Sequence, residues 1–265
     1  MKTCKDQIGR ILEFKKSPKR IISLVPSLTE LLVDLQLEDS IVGITKFCIH
    51  PVHLKKSKTI VGGTKNINFK KIKALNPDVI LCNKEENTLD IVKQCELIAS
   101  THVSNIITID DTIELINQYG YLFLKKREAT HLIEKITFKL SDFKQFINNK
   151  KTKKVAYFIW RKPWMVAANN TFINHLLQLN KFENTYKNEN RYPEVNLEKN
   201  KLIGKTDLIF LSSEPYPFKE KHILELEEII SGTKIVLVDG EMFSWYGSRL
   251  LKAFDYFKSI HQQIP

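Results

Sequence analysis

Residues 126–149 have the hydrophobic spacing of one long helix. Apolar residues recur there at intervals of three and four, and neither glycine nor proline interrupts them. They are Ala129, Leu132, Ile133, Ile136, Leu140, Phe143 and Ile147. A helix of about 22 residues spans roughly 33 Å, the size of a small domain. We predict a rigid helix connecting two lobes; the alternative is an ordinary packing helix within one large domain.

Short apolar runs alternate with helical segments on both sides of this helix, a pattern typical of parallel sheets covered by helices. The main runs are residues 21–25, 41–45, 79–82, 155–160, 207–211 and 234–238. The predicted fold is therefore α/β, with two Rossmann-like lobes bridged by one backbone helix. The predicted domains are 1–125, 126–150 and 151–265. In this arrangement the carboxyl ends of the strands face a shared cleft, where open α/β sheets bind ligands.

Two local patterns refine this picture. Ser27 and Glu30 have the spacing of a capping box, which predicts that a helix begins directly after the first apolar run. Residues 239–248 follow the last predicted strand and are expected to form a loop before the final helix.

The charge is strongly positive, at +11 with an isoelectric point near 9.3. The lysines are scattered, and no arginine-rich helix or zinc-finger spacing accompanies them. We interpret the charge as solvated surface and expect no nucleic-acid partner. A nucleic-acid-binding module is an alternative that rests on charge alone.

The first residues contain no apolar signal-peptide core, and no later run has the length of a membrane span. The four cysteines, Cys4, Cys48, Cys82 and Cys95, lack the pairing of a disulfide scaffold. These features predict a reduced, cytoplasmic setting. We also expect a monomer.

Motifs of catalysis are missing. The sequence has no glycine-rich phosphate loop, no nucleophile elbow and no His-Glu-x-x-His. The alternative to a binding protein is a cytosolic enzyme acting on a small anionic substrate, with Glu85 or Glu86 working beside His50. Cys48, His50 and His53 are three possible metal ligands in one loop, but no fourth ligand lies nearby. We therefore predict neither a metal site nor an intrinsic cofactor.

Aromatic side chains fall at or just after predicted strand ends, where they suit a large, flat or partly apolar ligand. They are Phe47, Trp160, Trp164, Phe243, Trp245 and Tyr246. Arg161, Arg191 and Arg249 lie in the same loops and are suited to carboxylates or phosphate on a ligand. For Trp160 and Phe243 the alternative is a place in the core.

Residues 20–30, 42–45, 61–63 and 72–80 resemble the opening of helical-backbone metal receptors. These are the periplasmic binding protein-like substrate-binding proteins of ABC transporters for cobalamin and iron chelates. The resemblance implies a ligand such as cobalamin (vitamin B12), a haem-like molecule or another metal chelate in the cleft, without catalysis. It also implies a periplasmic location and an importer permease as partner.

The resemblance also assigns positions. Phe47 stands where the cobalamin receptor has a tyrosine, and Thr64 where it has a tryptophan. Thr88-Leu89 stands where the cobalamin receptor has the glutamate that docks on its permease. The predicted ligand-binding residues are Phe47, Thr64, Trp160, Arg161, Trp164, Met242, Phe243, Trp245 and Arg249. Replacing Trp245 or Arg249 with alanine is expected to weaken binding tenfold and to leave the fold intact.

Overall fold

A computed structural model of the chain describes residues 2–197, 203–230 and 232–264. The chain divides into two compact units. Unit 1 comprises Met1–Thr137 and Tyr246–Leu250, and unit 2 comprises Phe138–Trp245 and Leu251–Pro265. A short segment near the carboxyl terminus thus belongs to unit 1, which the sequence did not indicate.

Unit 1 is built on a five-stranded parallel sheet in the order β5-β4-β3-β6-β7. Its strands are β3 (Ile21–Ser23), β4 (Ile41–Ile44), β5 (Thr59–Ile60), β6 (Val79–Asn83) and β7 (Ser100–Ser104). A separate antiparallel hairpin, β1 (Lys2–Lys5) and β2 (Ile11–Phe14), precedes them. Apart from the short edge strand β5, the strands of the sheet are almost wholly buried, as expected for a parallel sheet covered by helices.

Five helices accompany this sheet in the chain. They are α1 (Pro26–Asp34), α2 (Leu54–Ser57), α3 (Phe69–Ala74), α4 (Leu89–Glu96) and α5 (Ile109–Leu122). Side-chain caps fix several of their starts: Asn68 accepts from the backbone N–H of Lys71, and Thr108 forms a capping box with Asp111. A buried apolar cluster, which includes Ile22, Ile80 and Val92, packs helix against strand.

Unit 2 is built on a second sheet, in which four parallel strands follow the order β10-β8-β11-β12 and β9 pairs antiparallel with β8. The strands are β8 (Lys153–Trp160), β9 (Met165–Ala167), β10 (Phe182–Asn184), β11 (Leu208–Ser212) and β12 (Lys234–Val238). The helices are α7 (Phe172–Leu179), α8 (Glu220–Glu227), α9 (Gly240–Ser244) and α10 (Leu250–Gln263).

The long predicted helix is α6, Lys126–Ile147, and it contributes residues to both units. Ala129, Leu132, Ile136, Phe143 and Ile147 are buried, as their spacing predicts. The predicted α/β fold with mostly parallel sheets is confirmed. The domain limits 1–125, 126–150 and 151–265 stay a prediction, as does the shared cleft.

Two local predictions were wrong. The capping box at Ser27 does not form, because α1 already begins at Pro26, with Val25 as its N-cap and no side-chain cap. Proline favours this first helical position, where its missing N–H costs no hydrogen bond. Residues 239–248 are not a plain loop either. The Asp239 carboxylate accepts from the Glu241 N–H and starts α9, and a 3₁₀ turn follows at Gly247–Arg249.

Because two of its histidines are buried, the protein is expected to lose stability in mild acid. Burial lowers the pKa of both His102 and His261 to about 4, against about 6.5 in an unfolded chain. The unfolded state therefore binds protons that the folded state does not. The stability due to the neutral rings is present above pH ~6.5 and is lost as the pH falls towards ~4.

For each histidine the expected loss between about pH 7.5 and pH 5 is roughly 2 kcal/mol in the free energy of unfolding. Urea unfolding at the two pH values measures it. The variant His102→Gln should remove about half of this combined pH dependence. An unchanged pH dependence in that variant would show that His102 takes up a proton as readily in the folded protein as in the unfolded chain.

Candidate ligand-binding site

The carboxyl end of β8 in unit 2 presents an indole to solvent. Trp160 is the last residue of β8 and remains 39% exposed. The ring of Tyr216, from the loop after β11, meets it edge to face at a centroid distance of 5.6 Å. The Tyr216 N–H donates to the Ile159 carbonyl over 3.3 Å, which ties this loop to the end of β8. Two aromatic rings from different strand ends therefore form one partly exposed surface.

Arg161, the residue after Trp160, is held in a fixed position. Its Nε and Nη2 donate to the two carboxylate oxygens of Glu225 on α8, at 2.7 and 2.6 Å. Such a bidentate pair fixes the guanidinium plane. The pair lowers the pKa of Glu225 and raises that of Arg161, chiefly through these hydrogen bonds. Because its charge is already paired, Arg161 orients neighbouring groups more readily than it binds an anion by itself.

Trp164 lies deeper in unit 2 than the sequence pattern suggested. Its ring stacks on Phe218 at an interplanar angle of 8° and meets Phe158 edge to face. The Arg161 guanidinium lies 5.8 Å from the centre of the Trp164 ring. Trp164 therefore packs against Phe218, whose ring in turn contacts Tyr216.

In unit 1 the exposed aromatic at a strand end is Phe47, in the loop after β4. It is 49% exposed, and its ring lies beside Gly63, where an added Cβ would come within 3.0 Å of Phe47 Cε2. The Lys46 ammonium lies 5.0 Å from the ring centre. The glycine thus lets the phenyl ring lie flat against the loop after β5.

Thr64 lies in that same loop and is nearly buried, at 9% exposure. Its carbonyl accepts from the Asn87 side-chain amide over 3.0 Å, and its side chain lies close to Glu86. Burial raises the pKa of Glu86, opposed by the charge of Lys65. Thr64 therefore joins two loops within unit 1 and offers little surface to a ligand.

In the segment predicted as the last loop, residues 239–248, most side chains are buried or partly buried. Phe243 is fully buried among rings that include Tyr157, Phe210 and Phe257. Trp245 is 7% exposed, and its indole Nε1–H donates to the Glu214 carboxylate over 2.7 Å. Met242, on the short helix α9, is partly buried. A ligand-contacting role for these residues stays a prediction, and the structure gives Phe243 and Trp245 a packing role.

The Arg249 side chain is also buried, and it forms an ion pair with a buried acid. Its Nε donates to Glu30 on α1 over 2.8 Å, with side-chain exposures of 3% and 8%. Two residues earlier, Gly247 has a φ of +83°, and an added Cβ would lie 3.3 Å from Leu31 Cβ. We therefore expect Arg249→Ala to destabilise the fold, whereas the sequence-based expectation was that the fold would stay intact.

The Cys48 loop does not gather its three candidate metal ligands. The Cys48 thiol is buried between the hydroxyls of Thr29 and Thr45, at 3.1 and 3.3 Å, and burial raises its pKa. His53 instead bonds Glu38 over 2.7 Å at the surface. Among the described residues, no group of three or more His, Cys, Asp or Glu side chains could hold a metal ion.

The sequence analysis missed Tyr216. The residue lies in the run Glu214-Pro215-Tyr216-Pro217-Phe218 directly after β11. An aromatic residue just after a strand is the same signal that identified Trp160, so this position was open to prediction.

Both units are of the α/β type, and in each of them aromatic side chains lie at or just after the carboxyl ends of parallel strands. These are Phe47 in unit 1, and Trp160 and Tyr216 in unit 2. The chain belongs to the periplasmic binding protein family, whose model matches residues 21–230. This match confirms the resemblance seen in the sequence. No helix within the described residues has both the length and the apolar character needed to cross a membrane.

One curated relative is the uncharacterized ABC transporter substrate-binding lipoprotein YvrC of Bacillus subtilis (strain 168). It is 27% identical over 192 residues, covering 67% of this chain and 58% of that protein. The chain thus matches less than two thirds of this relative's length.

Solved structures with the same fold include the periplasmic vitamin B12 binding protein BtuF of Vibrio cholerae, at 21% identity and a TM-score of 0.75, covering 93% of this chain and 99% of that one. A periplasmic haem-binding protein from Pseudomonas aeruginosa has 17% identity and a TM-score of 0.78, covering 92% of each chain. At these identities the likeness establishes the fold alone.

Proposed function

We propose that this protein is a non-enzymatic substrate-binding protein of an ABC importer, and that its ligand is a corrinoid, a haem or an iron chelate. One observation carries the proposal most directly. A partly exposed indole, Trp160, ends a parallel strand and meets the ring of Tyr216 edge to face. Ligands of this class are large and partly apolar, so they gain from contact with exposed rings.

The aromatic surfaces fit a binding role better than a catalytic one. Family membership and the names of the relatives support this reading. The enzyme alternative rests on Glu86, an acid whose pKa is raised by burial. Phe47 in unit 1 offers a further exposed ring for the ligand.

The proposed partner is the permease of an importer, and the proposed place is outside the cytoplasmic membrane. The family's name and the relative's name, a substrate-binding lipoprotein of an ABC transporter, support both. At the position of the expected docking glutamate, the Thr88 hydroxyl accepts from the Ile91 N–H and caps α4, and Leu89 is 68% exposed. Docking through unit 1 would therefore use an apolar contact where the cobalamin receptor has a charge.

A spectroscopic titration tests the proposed function. Purified protein is titrated with cyanocobalamin, dicyanocobinamide, haemin and a ferric siderophore while absorbance is recorded. We expect saturable one-to-one binding of at least one of these compounds. If none binds, and the protein instead turns over a small anionic substrate, the enzyme alternative is correct.

Trp160→Ala is expected to weaken binding of that compound at least tenfold, about 1.4 kcal/mol. The reason is that an aromatic side chain contributes a large contact area, on the order of 150–250 Å² when enclosed. The matched control is Phe138→Ala on α6, which removes a ring that is 74% exposed. Equal affinities of the two variants would show that Trp160 does not contact the ligand.

A further inference from the structure

The Tyr216 hydroxyl receives a hydrogen bond from a histidine whose tautomer is fixed. His222 Nδ1 accepts the backbone N–H of Lys219 over 2.8 Å, so this nitrogen carries no proton. Burial, together with the charges of Lys221 and Arg161, lowers the pKa of His222, so the ring is neutral at pH 7. Its single proton is therefore on Nε2, which lies 3.2 Å from Tyr216 Oη and donates to it.

Arg161 brings positive charge close to the same hydroxyl. Its guanidinium is fixed in place by Glu225. The phenol oxygen uses a lone pair to accept from His222, so the Tyr216 hydrogen is directed away from His222. No acceptor for this hydrogen is found in the described part of the chain.

The surroundings of this hydroxyl favour a negatively charged acceptor. The carboxylates nearby are engaged, Glu225 by Arg161 and Glu214 by Ser244 and Trp245. Three exposed lysines lie within three residues in sequence of Arg161 or His222: Lys162, Lys219 and Lys221. The hydrogen bond that His222 donates also strengthens the donation by the Tyr216 hydroxyl, because hydrogen bonds in a chain polarise one another.

We propose that the Tyr216 hydroxyl donates a hydrogen bond to a carboxylate oxygen of the ligand, whose flat face lies on Trp160. Tyr216 then selects, among the flat chelates of the proposed function, those that carry carboxylates at their rim. The inference rests on the proposed function and narrows it to one ligand class. His222 is a positioning residue that acts through Tyr216.

The test compares two porphyrins that differ only in their acid groups, protoporphyrin IX and its dimethyl ester. Tyr216→Phe keeps the ring against Trp160 and removes only the hydroxyl. We expect this variant to bind protoporphyrin IX at least tenfold more weakly than wild type, and the dimethyl ester with nearly unchanged affinity. A purely structural role of the hydroxyl would weaken both porphyrins equally.

Tyr256→Phe is the matched control. Its hydroxyl also accepts an N–H bond, from Asp239 over 2.7 Å in the same unit. This variant should not discriminate between the two porphyrins. An equal change for both porphyrins in Tyr216→Phe would overturn the inference.

The panel also separates this inference from the proposed function. Dicyanocobinamide carries amides and no carboxylate. If wild-type protein binds dicyanocobinamide or a ferric siderophore but no porphyrin, the proposed function stands and the carboxylate inference is wrong. If no compound in the panel binds, both are wrong.

Discussion

Replacing Arg249 with alanine is expected to lower the free energy of unfolding by about 3–5 kcal/mol, because it leaves the Glu30 carboxylate buried without its ion-pair partner. The two side chains are almost inaccessible, and they join α1 to the segment Tyr246–Leu250 within unit 1. Urea unfolding at neutral pH measures the change. The double variant Glu30→Ala/Arg249→Ala should lose much less than the sum of the two single variants, since the two residues are coupled.

The matched control is Lys139→Ala, which removes another ion pair between distant parts of the chain. Lys139 pairs with Asp255, but the two side chains are 34% and 64% exposed, far more than those of Arg249 and Glu30. Exposed pairs contribute about 0–1 kcal/mol. If Arg249→Ala lost no more than Lys139→Ala, Arg249 would not be a structural residue, and its assignment to the ligand would regain support.

The second large effect is expected at Phe243. Phe243→Ala removes a fully buried ring that contacts Tyr157, Phe210 and Phe257. Loss of its transfer free energy and the cavity left behind should lower the free energy of unfolding by about 3–5 kcal/mol.

Phe138→Ala is the control for this change, because the ring that it removes is mostly exposed and should alter stability by no more than about 0.5 kcal/mol. Loss of ligand affinity at Phe243→Ala with unchanged stability would show that Phe243 faces the ligand instead of the core.

The sheets and the long helix could be predicted because their signals are collective. Many apolar residues at one period define α6, and the runs around Ile80 and Ile209 are buried on both faces. The short elements could not. The strands β9 and β10 have three residues each, and the hairpin β1–β2 has an irregular pattern of exposure. These short strands form because they pair with other strands, and the hydrophobic pattern of a short segment does not reveal such pairing.

The candidate site was harder to predict, because a strand end does not show which way a side chain points. Trp160 and Phe243 carry the same sequence signal, yet one is half exposed and the other fully buried. Arg249 was assigned to a ligand because it follows the last strand and arginine suits carboxylates, but its partner Glu30 lies more than two hundred residues away in sequence. A long-range pair of this kind is invisible in a single sequence without covariation.

The central claim, that a flat chelate binds this protein on Trp160, is tested most directly by the stability that the ligand adds. Urea unfolding of wild type and Trp160→Ala is measured with and without the compound that binds in the titration, at a hundredfold excess over the wild-type Kd. The account predicts a gain of about 2.7 kcal/mol for wild type. With tenfold weaker binding, the same concentration should stabilise Trp160→Ala by only about 1.4 kcal/mol. Equal gains in the two proteins, or no gain in either, would contradict it.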